Sequence, residues 1–263
     1  MNYSGAVFFD YDGTLSDELC DIYYPTEKTI KTLNTLRKKG YFVCLATGRA
    51  KCYAPELSFE FDGYITSNGA SAEINGKNIH SISFSPALLK ETTKYFEKHG
   101  LYYSAENQES CYALDADAKI FRDIIDNFNI PREIFRPFSE IDENSVSKML
   151  MVYPDEKAFL DAKAHFDGTL KLDKHRFCPS CDVTLWNVTK GTGVKKILDL
   201  IKVPFENTYA FGDGTNDIDM MRYVKHSVAM GISSDELKKV CESVTDSVKN
   251  EGVTKYFENI GLI

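Results

Sequence analysis

Nowhere in this 263-residue chain does an apolar run approach the ~18 residues of a membrane span, so no membrane partner is expected. A basic surplus is missing too. Lys and Arg number 31 against 39 Asp and Glu, a formal net charge of −8. Nucleic acids and anionic membranes favour basic surfaces, so neither is an expected partner. No secretory leader is visible: the apolar stretch "AVFF" is too short, and Asp10 and Asp12 follow at once. The seven cysteines are scattered and odd in number. That argues against a disulfide framework and for a reducing, cytoplasmic location. Cys178 and Cys181 form a C-x-x-C, but no second pair follows at zinc-like spacing, so they read as incidental thiols. The histidines have no metal-like company. No internal repeat or low-complexity tract appears. "TKGTGVKK" lacks the spacing and the G-K-[ST] ending of a nucleotide P-loop.

What is present is ordinary globular composition, 43% hydrophobic and 27% charged, enough for a real core. Residues 5–9 read as a short buried strand. "PTEKTIKTLNTLRKKG" (25–40) reads as a helix, with Pro25 and Thr26 at its start and Gly40 at its end. "YFVCLA" (41–46) is a second strand, and 62–70 holds a third. Strand, helix, strand with near-continuous apolar strands is the pattern of a parallel α/β sheet. It returns late: helix 191–201, strand 208–213, helix 216–224, strand 227–231. Between lie a hairpin at 70–82, turned by Asn75-Gly76, and an α+β block. The expected organisation is a Rossmann-like parallel-sheet core from 1–82 and 184–263, with a domain, 83–183, inserted into it.

Ligands in open α/β sheets bind beyond the carboxyl ends of the strands. Asp10 and Asp12 end the first strand, Thr47-Gly48-Arg49 follow the second, and Asp213 to Asp217 follow "TYAFG". A parallel sheet would bring these clusters together from opposite ends of the sequence. Asp10, Asp12, Asp213 and Asp217 would then put four negatives in one site, which is strongly unfavourable unpaired. Mg²⁺, a hard cation that takes oxygen ligands, and Lys190 would leave one negative charge. A phosphate would then need donors: Thr47, backbone N–H groups and Asn216.

"DYDGTL", "TGR", "TKG" and "GDGTNDIDM" resemble, in order, the four motifs of the haloacid dehalogenase superfamily. The "SNGA" segment and the large insertion resemble its Cof-type branch of phosphatases, with a C2-type cap. The resemblance covers the whole chain. It implies a Mg²⁺-dependent phosphatase acting on small phosphate monoesters such as sugar phosphates or phosphorylated cofactors. Asp10 would be the nucleophile that forms an aspartyl-phosphate, and Asp12 the general acid and base. Lys190 would neutralise charge. Thr47, Gly48, Asn216 and the backbone N–H of Tyr11 would hold phosphate. Asp10, Asp213 and the Asp12 carbonyl would ligate the metal, and Asp217 would support the metal shell or Lys190. Arg49 would touch substrate or simply pair with an acidic neighbour. Two alternatives stand beside this. A phosphomutase similar to the phosphomannomutases would need a basic cluster on the inserted domain, for which Lys119, Arg122, Lys171, Lys174, His175 and Arg176 are available. A non-catalytic phosphate-binding module would be expected to have lost Asp10, Asp12, Lys190 or Asp213, and all are present.

Overall fold

The computed structural model describes residues 3–55, 57–115, 117–127, 130–175 and 178–263. The chain first builds β1 (Gly5–Phe9), β2 (Tyr41–Ala46), β3 (Gly63–Thr66), β4 (Ser71–Ile74) and β5 (Lys77–Ser81). It then builds β6 (Tyr102–Glu106), β7 (Cys111–Ala113), β8 (Phe135–Pro137), β9 (Lys148–Val152), β10 (Leu170–Lys174) and β11 (Ser180–Leu185). It returns to complete the first sheet with β12 (Thr208–Gly212), β13 (His226–Ala229) and β14 (Ser243–Val244). The helices in chain order are α1 (Glu27–Lys38), α2 (Pro86–Lys98), α3 (Lys119–Asn127), α4 (Glu156–His165), α5 (Lys190–Ile201), α6 (Ile218–Met221), α7 (Asp235–Val240) and α8 (Gly252–Asn259). None of the described helices is long and apolar enough to cross a membrane.

Contacts group Met1–Gly48, Pro55–His80 and Thr189–Ile263 into one compact unit, and Arg49–Ala54 with Ser81–Val188 into another. The 183/184 boundary read from the sequence falls inside β11, and the short segment 49–54 groups with the second unit. The first unit holds a sheet of order β14-β13-β12-β1-β2-β3-β4-β5. From β14 to β3 its neighbours run parallel, and β4 pairs antiparallel to β3. Asn75 and Gly76, at φ 49° and 73°, make the β4–β5 turn.

Alternation decides what each face meets. Val7, Phe9, Val43, Leu45 and Phe211 pack with Leu33 and Leu36 of α1 and with Phe257 of α8. Ala6, Phe8, Phe42 and Cys44 pack with Val194 and Ile197 of α5, with Met220 of α6 and with Leu237 of α7. Buried on both faces, β1 and β2 have no room for polar residues, hence their continuous apolar runs. Each fully buried Phe contributes about 1.5–3 kcal/mol. The helix expected at 216–224 is shorter: a 3₁₀ turn spans Thr215–Asp217 before α6.

The second unit is a sheet of order β10-β11-β9-β6-β7-β8. One face carries Tyr103, Met149, Met151, Cys181 and Val183 against Phe96 of α2 and Phe159 of α4. On the other, Leu150 and Val152 meet Phe121, Ile124 and Ile125 of α3. Cys181 sits in the first cluster and Cys178 at the margin of the second, so the C-x-x-C thiols divide between the faces.

The second face also buries charge. Lys148 donates to Asp182 Oδ1 at 2.7 Å and lies 3.1 Å from Glu106 Oε2. His175 Nε2 stands 3.4 Å from the same Asp182 oxygen, and its Nδ1 is 2.7 Å from Ser180 Oγ. Burial alone would lower the His175 pKa. Asp182, together with Cys178, outweighs it and raises His175 to about 9. An unfolded His titrates near 6.5. The stabilisation His175 gives is therefore complete below about pH 6.5 and is lost as pH rises through about 9. Urea unfolding across pH 6–10 should show a falling midpoint over that window. The fall should be smaller in His175→Asn, and an equal slope in the two proteins would contradict the assignment.

Candidate active site

The register of the parallel strands brings three loops to one end of the first sheet. Phe9 of β1 lies opposite Phe211 of β12 and Leu45 of β2. Asp10 therefore leaves the sheet beside Asp213 on one side and Thr47 on the other. The Asp10 N–H continues the ladder to the Phe211 carbonyl at 3.0 Å.

The loop after β1 is wound tightly on itself. The N–H groups of Leu15 and Ser16 donate to the Tyr11 carbonyl at 2.8 and 3.0 Å, and Gly13 N–H donates to the Ser16 carbonyl at 2.8 Å. The Tyr11 ring is buried in the first core, and its hydroxyl donates to the Tyr23 carbonyl at 2.7 Å. The Tyr11 side chain is thus an anchor for the loop. Gly13 has φ +82°, and a Cβ there would come 2.3 Å from Asp213 Oδ2. The first loop can meet the third only because this side chain is absent.

Lys190 opens α5 and is fully buried. Thr189 caps the helix: its Oγ1 accepts from Thr192 N–H, and Thr192 Oγ1 accepts from Thr189 N–H. The cap fixes the direction in which Lys190 leaves the helix. Its Nζ donates to Asp10 Oδ1 at 2.5 Å and to Asp217 Oδ1 at 2.7 Å. The other Asp217 oxygen accepts from the N–H groups of Asp213 and Gly214 at 2.9 and 3.0 Å. Asp217 therefore has both oxygens engaged, and it holds the turn that presents Asp213.

Asp10, Asp213 and Asp217 each bring a carboxylate oxygen within 4.8 Å of the others. Asp12 is half-buried and outside this trio, so three of the four acidic residues named from the sequence converge. Three carboxylates against one ammonium leave two negative charges in a dry place. Burial, then Asp217, push the Asp10 carboxyl well above the usual range, with Lys190 pulling the other way. Burial and Asp217 likewise raise Asp213 to about 7. Burial would lower the Lys190 pKa, but Asp10 and Asp217 overcome that and raise it. An all-oxygen, over-negative donor set fits a hard divalent cation such as Mg²⁺.

Thr47 is fully buried after β2; its N–H donates to the Ile65 carbonyl at 2.8 Å, and its carbonyl accepts from Asn68 N–H at 3.2 Å. Gly48 follows, half-buried, and Arg49 is buried within the second unit. Asn216 donates to Asn68 Oδ1 at 3.1 Å. Asn68 was not singled out from the sequence as a site residue. Its one signal in the sequence is local turn chemistry, Ser67-Asn68-Gly69, and all three have positive φ, at 52°, 53° and 100°. At Gly69 a Cβ would stand 1.9 Å from the Thr189 carbonyl, so this turn abuts the start of α5. Of the basic residues considered on the inserted domain, Arg176 lies outside the described residues.

A family model described as haloacid dehalogenase-like hydrolase matches residues 7–257. A Streptococcus pyogenes relative, "Putative bifunctional phosphatase/peptidyl-prolyl cis-trans isomerase", is 28% identical over 260 residues. That match covers 98% of this chain and 54% of the relative, so the chain spans about half of that protein's length. A Bacillus subtilis protein, "Putative phosphatase YkrA", is 27% identical over 273 residues and is matched over 99% of both chains. Among solved structures, that of the HAD subclass IIB sugar phosphatase BT4131 has a TM-score of 0.87 at 26% identity, covering 98% of this chain and 100% of that one.

Lys190→Met should leave Asp10 and Asp217 buried without their cation. The expected loss is about 3–5 kcal/mol in metal-free buffer, read by urea unfolding. An unchanged midpoint would mean that Lys190 does not neutralise the cluster.

Proposed function

Because the chain belongs to the haloacid dehalogenase-like hydrolase family, we propose that it is a Mg²⁺-dependent phosphatase of small-molecule phosphate monoesters. Sugar phosphates and phosphorylated cofactors are the substrate classes of this proposal, and the cytoplasm is its location. Phosphatase chemistry as such rests on the family match and on relatives along the whole chain. The likeness to a solved sugar phosphatase supports the sugar class.

The observation that carries the mechanism is the buried bridge from Lys190 to Asp10 and Asp217. Lys190 favours the ionised form of Asp10 despite burial, and it orients one oxygen, so the other is left to attack phosphorus. That attack forms the aspartyl-phosphate as the ester oxygen leaves. Asp12, outside the carboxylate trio, gives that oxygen its proton. It then takes a proton from the water that attacks phosphorus, releasing phosphate and restoring Asp10. Thr47, Gly48, Asn216 and the Tyr11 N–H receive the phosphate oxygens. Asp10, Asp213 and the Asp12 carbonyl would hold Mg²⁺. When bound, it supplies the positive charge that the cluster and a transferring phosphoryl group need. Asp217 serves this arrangement through Lys190 and the 213–214 turn.

A mutase would need cationic groups to hold a second phosphate. Lys119, Lys171 and Lys174 instead pair with Asp123, Asp173 and Glu156 of their own unit. That favours net hydrolysis.

Turnover of p-nitrophenyl phosphate should require Mg²⁺, stop on chelation and return on readdition. Asp10→Asn should fall to background, and Asp12→Asn should lose about 10²–10⁴-fold in kcat. Turnover retained in folded Asp10→Asn would sink the covalent scheme.

A further inference from the structure

The chain passes into the second unit between Gly48 and Arg49 and leaves it after Ala54. This strap begins one residue beyond the Thr47-Gly48 pair that is assigned above to phosphate. Its near end is fixed in the first unit by the Thr47 carbonyl, which accepts from Asn68 N–H. Its far end is a single 3₁₀ turn, Lys51–Tyr53, closed by Tyr53 N–H donating to the Ala50 carbonyl at 3.2 Å.

That turn is held by side chains. Ala50 is fully buried. The Cys52 thiol lies 3.6 Å from the Asn107 carbonyl and 4.0 Å from Cys111 Sγ. Tyr53 is the strongest hold. Its hydroxyl donates to Glu106 Oε2 at 2.6 Å and accepts from Lys148 Nζ at 2.8 Å. Glu106 ends β6 and Lys148 begins β9, and the two residues face each other in register. Asp182, on neighbouring β11, takes another Lys148 proton at 2.7 Å. Two carboxylates are thus matched by Lys148 and a protonated His175. Burial and the Glu106 charge keep the Tyr53 phenol protonated, so it stays a donor.

Such a network is a poor source of stability. Buried ion pairs gain little over apolar packing of the same volume, but they demand one geometry. What this one fixes is the strap: side chains of two strands, β6 and β9, bond one hydroxyl of a segment that is otherwise a single short turn, and β11 holds Lys148 through Asp182. The geometry points to Tyr53 as a positioning residue for phosphate binding. Anchored to Glu106 and Lys148, it holds the backbone leaving Gly48, so that Thr47 and Gly48 present their donors to phosphate without an ordering cost. This rests on the phosphatase proposal for the role of Thr47 and Gly48. Tyr53 itself touches no reacting atom in this scheme.

The test is Tyr53→Phe, with Tyr103→Phe as control. Tyr103 is buried on the opposite face of the same sheet, and its hydroxyl donates to Glu97 at 2.8 Å. Tyr53→Phe loses the two hydrogen bonds of its hydroxyl, and Tyr103→Phe loses its bond to Glu97, all within the second unit. Inorganic phosphate is the probe because it has no leaving group to touch. Its inhibition constant against p-nitrophenyl phosphate, and the KM, should rise roughly three- to tenfold in Tyr53→Phe, about the worth of one hydrogen bond. kcat should change less. Amide exchange across 47–54 should quicken. Tyr103→Phe should change neither the inhibition constant nor that exchange. Unchanged phosphate inhibition in Tyr53→Phe overturns the positioning role, and so does an equal shift in Tyr103→Phe. A wild type without phosphatase activity, with faster 47–54 exchange in Tyr53→Phe, would instead refute the functional proposal and leave the anchor established.

Discussion

A single buried ammonium organises the candidate active site of this protein. Lys190 joins Asp10, at the end of the first strand, to Asp217, two hundred residues later. Without it, like charges brought together by a parallel sheet would repel. With it, Asp217 is free to fix the turn at Asp213 and Gly214 with its remaining oxygen. The geometry of Lys190 is in turn set by the Thr189 cap and by the bare backbone of Gly69 against the Thr189 carbonyl. Small local requirements thereby carry the electrostatics of the proposed active site.

Much of this was legible in the sequence. Fully buried strands advertise themselves by unbroken apolar runs, so β1, β2 and β12 were readable, and with them the parallel sheet. Parallel order then implied that Asp10, Thr47 and Asp213 share one end. The Asn75-Gly76 turn and the Thr26, Ser85 and Asp155 side chains that begin helices are local chemistry, and each ends or starts an element where its type suggests.

Other features depend on contacts that no window of sequence contains. The Tyr11 side chain became a core anchor because Phe59 and Phe61 pack in the same cluster. Asp12 stands outside the carboxylate trio, and its spacing from Asp10 alone does not say so. The 216–224 helix begins as a 3₁₀ turn, where Asp217 accepts from the Asp213 and Gly214 amides. α3 and α8 are short, and their apolar residues face clusters built from distant strands. The segment 49–54 has no apolar period at all, and its place in the second unit rests on the partners of Tyr53.

The strand order has a consequence for how the molecule is made. β1 needs β12 as its neighbour, and the two are parted by some two hundred residues. At ribosomal speeds of about 5–20 residues per second, β1 waits on the order of ten to forty seconds for that partner. Most of the second unit, Ser81–Val188, is one uninterrupted stretch, and it emerges in full before β12 does. The nascent chain therefore makes the apolar β1 early, pairs one edge with β2, and leaves the other edge open until β12 emerges. In a cell, that interval is when chaperones and neighbouring nascent chains compete for it.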